Sequence, residues 1–310
     1  MLKGLAITPP IIGRISIGRV VEKNGKRLPE KSDEFQITTQ VQNREGGWIM
    51  HPFDTELRKP ESGKPTGKLR AIPVRFLFNE PDLNLRAEYS CFDRQTGRPI
   101  CVGNGETCRR ACDTGIEELP CPSPDGCAFG QGGACKPYGR LNVLIGNEDE
   151  TGSFMFRTTS FNSIRTLAAR LHYFSAVSGN LLACLPLELK LRGKSTTQSY
   201  RSAIYYVDLG VRTGSTLEAA ITEARELDVR RGAAGFDQAA LDTAARVGFS
   251  NGAFEDSIEE SAAVAEEFYP PDAGRSDSHG DSPAESDEPP ASGLRGKLEQ
   301  RAALLGGKAA

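Results

Sequence analysis

The stretch Cys101–Arg140, CVGNGETCRRACDTGIEELPCPSPDGCAFGQGGACKPYGR, holds six of the eight cysteines of this 310-residue chain: Cys101, Cys108, Cys112, Cys121, Cys127 and Cys135. The residues between them are polar and rich in glycine and proline, and Ile116, Leu119 and Phe129 supply almost all the large apolar surface. Such a segment cannot order itself by burying apolar area. Something must tie the cysteines together, either disulfides or a metal.

Compartment decides between the two. The N-terminal run MLKGLAITPPIIGRISIGR has one lysine and a short apolar stretch broken by Pro9 and Pro10. It lacks the continuous apolar core and small-residue cleavage site of a secretory signal. No window approaches eighteen apolar residues, so no membrane span is expected. The expectation is therefore a cytoplasmic protein, where thiols stay reduced and clustered cysteines favour metal. Thiolate sets select zinc or an iron–sulfur cluster.

The spacing from Cys108 is Cys-x12-Cys-x5-Cys-x7-Cys if Cys121, Cys127 and Cys135 complete the set, and Cys112 could replace Cys108. Prolines stiffen the loop between Cys121 and Cys127, and flexible glycines lead back to Cys135. With no histidine nearby, the pattern points to a closed structural site rather than an open catalytic one. Cys91 and Cys101 are expected to pack in a sheet.

Working outward, strands are expected before the stretch at Ile11-Ile12, Ile15 to Val21 and Phe35 to Val41, with a basic turn at Lys23 to Arg27 between the last two. Further strands are expected at Leu69–Phe78 and Leu83–Phe92, and a turn at Asp93 to Gly97 closes a hairpin onto Pro99 to Val102. Trp48, His51 and Phe53 should pin the intervening loop to the body. After the stretch, Tyr138 to Gly146 and Ser153 to Thr159 pair antiparallel. The clearest helix follows over 162–178, capped by Ser160 or Asn162, with Ile164, Leu167, Ala168, Leu171 and Phe174 on one face and Gly179 at its C-cap. His172 beside that face reads as a half-buried structural residue. Two more strands, Leu181 to Leu191 and Arg201 to Val211, complete an α+β fold: a mostly antiparallel sheet, one principal helix, a cysteine-rich metal-binding insertion and a helical C-terminal arm.

Charge is unevenly distributed, although the formal net charge is only -3. Between Thr151 and Val207 seven basic residues (Arg157, Arg165, Arg170, Lys190, Arg192, Lys194, Arg201) face one acid, Glu188. Arginines and lysine with Tyr200 and neighbouring hydroxyls are groups that meet phosphate and stack on bases, so Arg157, Arg165, Arg192, Lys194, Tyr200 and Arg201 are candidate nucleic-acid contacts. Gly193-Lys194-Ser195 does not make a phosphate-binding loop, because the glycine required five residues earlier is Glu188.

From 213 to 269 the chain becomes acidic and alanine-rich. Ser215-Thr216-Leu217-Glu218 reads as a capping box, with later helix starts at Asp237 and Asp256, and these weak stripes need a partner surface. Residues 270–293 read as a disordered acidic linker that carries His279, and 294–310 as a tail with a short amphipathic segment. The body is thus 1–212, with its insertion at 101–140.

The chain has no HExxH, no GxSxG and no residues that assemble a general acid, base and nucleophile. The acidic pairs Asp54/Glu56 and Glu80/Asp82 leave a metal-dependent hydrolase or nuclease as the enzymatic alternative to a binding protein. A single-strand DNA-binding module is a third reading.

The segments GETCRR, PCPSPDGC, GGACKPYGRL, FRTTSFNSIRTLAARL and LRGKSTTQS resemble a bacterial phage and integrating-conjugative-element family related to the recombination directionality factors of large serine integrases. Members are often labelled "hydrolase or metal-binding protein". The resemblance covers about residues 1–212. It implies a non-enzymatic accessory of mobile-element DNA recombination, which binds a site-specific recombinase on DNA and changes which sites are joined. It also implies Cys108, Cys121, Cys127 and Cys135 as metal ligands, with Cys112 an extra thiol.

Overall fold

Phe35 and Ile37 alternate with polar neighbours and are both fully buried, the two-residue period of a strand with one face on a core. That pattern recurs through most of the chain. The structure, a computed structural model, describes residues 10–23, 26–45, 47–58, 67–146, 152–195, 197 and 203–248. The expected helix at Asp256, the linker 270–293 with His279, the tail 294–310, Tyr200 and Arg201 lie outside the described residues.

In chain order the described elements are β1 (Ile11–Lys23), β2 (Lys26–Gln42), β3 (Trp48–Met50), α1 (Pro52–Leu57), β4 (Ala71–Arg75), α2 (Pro81–Asn84), β5 (Leu85–Phe92), β6 (Pro99–Gly103), β7 (Thr107–Cys112), β8 (Gly115–Pro120), α3 (Ser123–Gly126), β9 (Cys135–Ile145), β10 (Ser153–Thr158), α4 (Phe161–Ser178), β11 (Leu187–Lys194), β12 (Ile204–Val211), α5 (Leu217–Ala233) and α6 (Gln238–Gly248). The fold is α+β with a mostly antiparallel mixed sheet. The described strands run β3-β2-β1-β10-β9-β5-β6-β7-β8, and a wing of β4, β11 and β12 branches from β9. Only β1 and β10 are paired in parallel among the described strands, with Ile11 opposite Ser153 and Ile15 opposite Phe156.

β9 is the trunk. Its first half, Cys135 to Leu141, pairs with β5, its middle pairs with β10, and its last residues, Leu144 and Ile145, pair with β4. The main core lies between this sheet and the helices, with Phe76, Ile72, Leu141, Val143, Phe154, Leu167, Leu171 and Leu187 among its members. Asn84, fully buried, clamps the turn before α2: it accepts the N–H groups of Leu77 and Phe78 at 3.2 and 3.1 Å and donates to the Phe78 and Glu80 carbonyls at 2.7 and 3.0 Å.

Helix α4 forms with Ser160 as N-cap, accepting the Ser163 N–H at 3.4 Å, and Gly179 in the left-handed conformation at its end. Ile164, Leu167, Leu171 and Phe174 are its buried face. Gly139 of β9 lets that face come close, because a Cβ there would stand 2.8 Å from Ile164 Cγ1.

Four expectations change. First, the cysteine-rich stretch is not an insertion without regular structure of its own. It is the end of the sheet, made of β6, β7 and β8, followed by α3 and a 3-10 stretch at Ala128–Gly133. Cysteine acts here as a small apolar residue, so Cys101 and Cys108 are core positions of short strands. Second, the N-cap of α5 is Thr216, whose Oγ1 accepts the Ala219 N–H at 3.1 Å, one residue later than a Ser215–Glu218 box would place it. Third, α5 and α6 lie on the body instead of standing off as an arm. Ala220, Ala224 and Leu227 join the main core, and Ala245 packs with Phe78 and Leu83. The surface their small side chains need is the sheet domain itself. Fourth, the segment from Leu182 to Cys184 is a 3-10 turn, so β11 starts only at Leu187.

His51 caps α1, its Nδ1 accepting the Phe53 N–H at 3.2 Å, and its ring meets Phe154 edge-on at 4.9 Å. Trp48 lies under the Arg14 guanidinium at 4.0 Å. His172 is exposed rather than half-buried and sits 3.5 Å from Asp82. No helix among the described residues is long and apolar enough to cross a membrane.

Candidate functional site

Strand register builds the most unusual feature of the molecule. Cys135 of β9 lies directly across from Cys91 of β5, which in turn lies across from Cys101 of β6. Residues opposed on adjacent strands project from the same face, roughly 5 Å apart at Cβ. The three thiols therefore form a row. On β7, Cys108 is paired with Gly103, two residues along from Cys101 on the same face. The chain then returns over this floor with Cys121 and Cys127. All six sulfurs line one small cavity of about 10 Å³, together with Tyr89, Gly103, Arg110, Ser123, Phe129 and Gly130. That volume is about enough for one water-sized body.

Two glycines permit the enclosure. A Cβ on Gly103 would lie 2.6 Å from Cys108 Cβ and 2.9 Å from Cys121 Sγ, and one on Gly130 would lie 2.7 Å from Cys135 Cβ. Cys91, Cys101 and Cys108 are fully buried, while Cys121, Cys127 and Cys135 are partly so. Burial, reinforced by Cys101 alongside, pushes the Cys108 thiol up to about 11. Burial with Cys91, Cys101, Cys121 and Cys127 as neighbours pushes Cys135 up to about 12.

The spacing-derived cysteines are thus brought together, and with them two that sequence reasoning gave to the sheet alone. Cys91 and Cys101 do pack in the sheet, but on the face that carries the cavity. Cys112, the alternative first ligand, is at the turn end of β7 opposite Gly115 and is not part of the lining. Among the described residues no three His, Cys, Asp or Glu side chains stand in the arrangement of a bound metal. In chemistry the donor set fits a soft cation, since all six are thiols and no carboxylate or imidazole intrudes.

The basic residues are less concentrated. Arg170 of α4 and Arg192 of β11 both donate to Asp208 of β12, at 3.1 and 3.0 Å. Asp208 is buried, which would raise its carboxyl, yet the two guanidiniums outweigh burial and hold it below the ordinary value. Lys194 donates to Asn162 at 2.8 Å and lies 5.9 Å over the Tyr206 ring. Arg170, Arg192 and Lys194 therefore border the seam between α4 and the β11–β12 hairpin, and Arg165, also on α4, is exposed. Arg157 is elsewhere, on β10 opposite Arg140. Gly193 and Lys194 are paired residues of β11, facing Tyr205 and Ile204, which is strand geometry and not a phosphate loop.

The acidic pairs do not assemble. Asp54 is buried, accepting the Ile37 N–H at 2.9 Å and the Arg58 Nε at 2.7 Å. Glu80 is bound by Arg246 at 2.7 Å, and Asp82 is largely exposed beside His172.

Residues 12–212 match the family model described as "Gp3-like: Recombination directionality factor-like", and the chain belongs to that family. The matched region spans β1 to β12, including the thiol cavity and the α4 seam. No curated protein and no solved structure matches the chain.

Proposed function

We propose that this protein is a non-enzymatic accessory of site-specific DNA recombination, which binds a serine integrase on its DNA and switches the direction of the reaction. The observation that carries this reading is the family match across the whole sheet body. Such a role asks for surfaces and a rigid frame, and in this reading the sheet with α4 supplies the frame and the half-exposed guanidiniums of Arg170 and Arg192 face the phosphate backbone of the complex. Acting on DNA in a bacterial cell, it would work in the cytoplasm.

The thiol cavity takes a structural role in the same reading. A zinc ion held by thiols drawn from Cys101, Cys108, Cys121, Cys127 and Cys135 would cross-link the strand floor to the returning chain, and each ligating thiol would release its proton on binding. The ion would supply cohesion, with no reacting group. Of the acids on which a nuclease would depend, Asp54 and Glu80 are bound by Arg58 and Arg246 while Glu56 and Asp82 are exposed, which favours binding over hydrolysis.

The test is a recombination assay with purified protein, a serine integrase and DNA substrates that report each direction. Excisive recombination should rise and integrative recombination should fall when the protein is added. Identical yields in both directions with and without it would remove the proposed role.

A further inference from the structure

Arg110 is the one charged side chain lining the thiol cavity among the described residues. The β7 register sets it directly across from Cys101 on β6 and, on the other side, from Glu117 on β8. Its Nη2 points to Cys127 Sγ at 3.8 Å, and its guanidinium lies 4.2 Å over the Phe129 ring. Its Nε is buried with no hydrogen-bond partner. Buried N–H groups are rarely left without an acceptor, and the titratable groups that act on the Arg110 side chain are the thiols of Cys101, Cys108 and Cys127, poor acceptors while they carry protons. Glu117 does not relieve it, being exposed and engaged by the Thr114 hydroxyl at 2.7 Å.

A dication within four thiolates is a doubly negative body, and burying it is unfavourable unless positive charge lies against it. A guanidinium stacked on an aromatic ring is held in place to supply that charge, and its fork can donate to more than one sulfur. We propose that Arg110 is the charge partner of the cavity, a positioning residue whose permanent guanidinium, across from Cys101 and 3.8 Å from Cys127 Sγ, offsets the negative charge of a thiol-bound dication and so sets the affinity for a soft dication of the zinc class. This rests on the metal reading above, and it adds a residue that no cysteine spacing could indicate.

The test compares wild type, R110Q and R110K as full-length proteins. Zinc affinity is read by competition with a chromophoric chelator, and ligand geometry by the thiolate-to-metal absorption of the cobalt-loaded forms. R110Q should bind zinc about 10- to 100-fold more weakly, and R110K, which keeps the charge without the fork, should recover part of the loss. Cobalt-loaded R110Q should retain the absorption of a tetrahedral thiolate site, because the ligands are still present. Metal-free wild type and R110Q should unfold at similar temperatures, with the difference opening only when zinc is added. R110Q that binds zinc as tightly as wild type, or that is destabilised equally with and without metal, overturns the role of Arg110 while leaving the metal. Wild type that takes up neither zinc nor cobalt overturns the metal reading, and the role of Arg110 with it.

Discussion

Asp242, on α6, accepts the backbone N–H of Asn79 at 3.2 Å, across 163 residues of chain. The same carboxylate accepts from Gln238 at 2.7 Å, and Gln238 in turn donates to the Leu77 carbonyl at 2.9 Å. Arg246 adds an ion pair to Glu80. Leu77, Asn79 and Glu80, three residues around the turn before α2, are thus held by the last described helix, whose apolar contribution there is chiefly Ala245 and Leu241. Polar contacts, more than area, dock α6.

That docking should strengthen on mild acidification. Burial raises the Asp242 carboxyl above its ordinary 3.8. A raised acid contributes its full stability below the unfolded value, and that contribution is lost as pH rises through the folded value. Wild type should therefore gain on D242N, which cannot titrate, as pH falls from neutrality, measured as the difference in urea midpoints. Wild type gaining on the variant as pH rises would refute the assignment.

Asp208 should behave in the opposite sense. Its carboxyl is held below the ordinary 3.8 because Arg170 and Arg192 outweigh burial, so its contribution is present above that value and is lost as pH falls through the lower folded one. D208N also removes the charge that offsets two guanidiniums. In duplex-DNA titrations against salt, D208N should steepen the dependence by about one unit of slope and R192A should flatten it by a similar amount. If both variants track wild type, the α4 seam is not a nucleic-acid surface.

Asp54 should prove structural. D54A leaves Arg58 with Glu34 but without the carboxylate that both its Nε and Nη2 reach, and leaves the Ile37 N–H without an acceptor, at a cost of about 3 kcal/mol by analogy with other broken buried pairs. Denaturant melts should show this equally with and without magnesium. A magnesium-dependent difference would reopen the hydrolase alternative.

Gly103 and Gly139 offer a matched pair. An alanine methyl at either would meet heavy atoms under 3.0 Å away, Cys108 and Cys121 in the first case and Ile164 in the second. Each should lose about 1–3 kcal/mol of stability through overpacking. Only G103A should also weaken zinc uptake, since only it wedges apart two of the thiols. Equal zinc affinity in both variants would argue that the Cys108–Cys121 side of the cavity takes no part.

What the sequence made legible follows physical range. Helix α4 announces itself through local signals: Ser160, an apolar stripe and Gly179. Strands β2 and β5 show through alternation. The cysteine end was misread because short strands of Thr107-Cys108-Arg109-Arg110-Ala111-Cys112 carry too few large apolar residues to look buried, although cysteine buries as readily as valine. Cys101 and Cys91 join the cavity through cross-strand register, which spacing along the chain does not encode. Asp208 falls one residue beyond the basic stretch that ends at Val207, so its pairing with Arg170 and Arg192 escaped a count of charges. The docking of α5 is likewise a tertiary fact: its alanines look weak until the Leu182–Cys184 turn is placed beneath them.

The parallel pairing of β1 with β10 has a consequence for how the protein is made. Ile11 finds its place beside Ser153, so about 140 residues must leave the ribosome first, on the order of ten seconds of synthesis. During that interval the edge of the β1–β2 hairpin that will meet β10 stays open to any other extended chain. The seam between β1 and β10 is therefore among the last to close, and an interruption of translation before β10 leaves that edge of β1 without its partner strand.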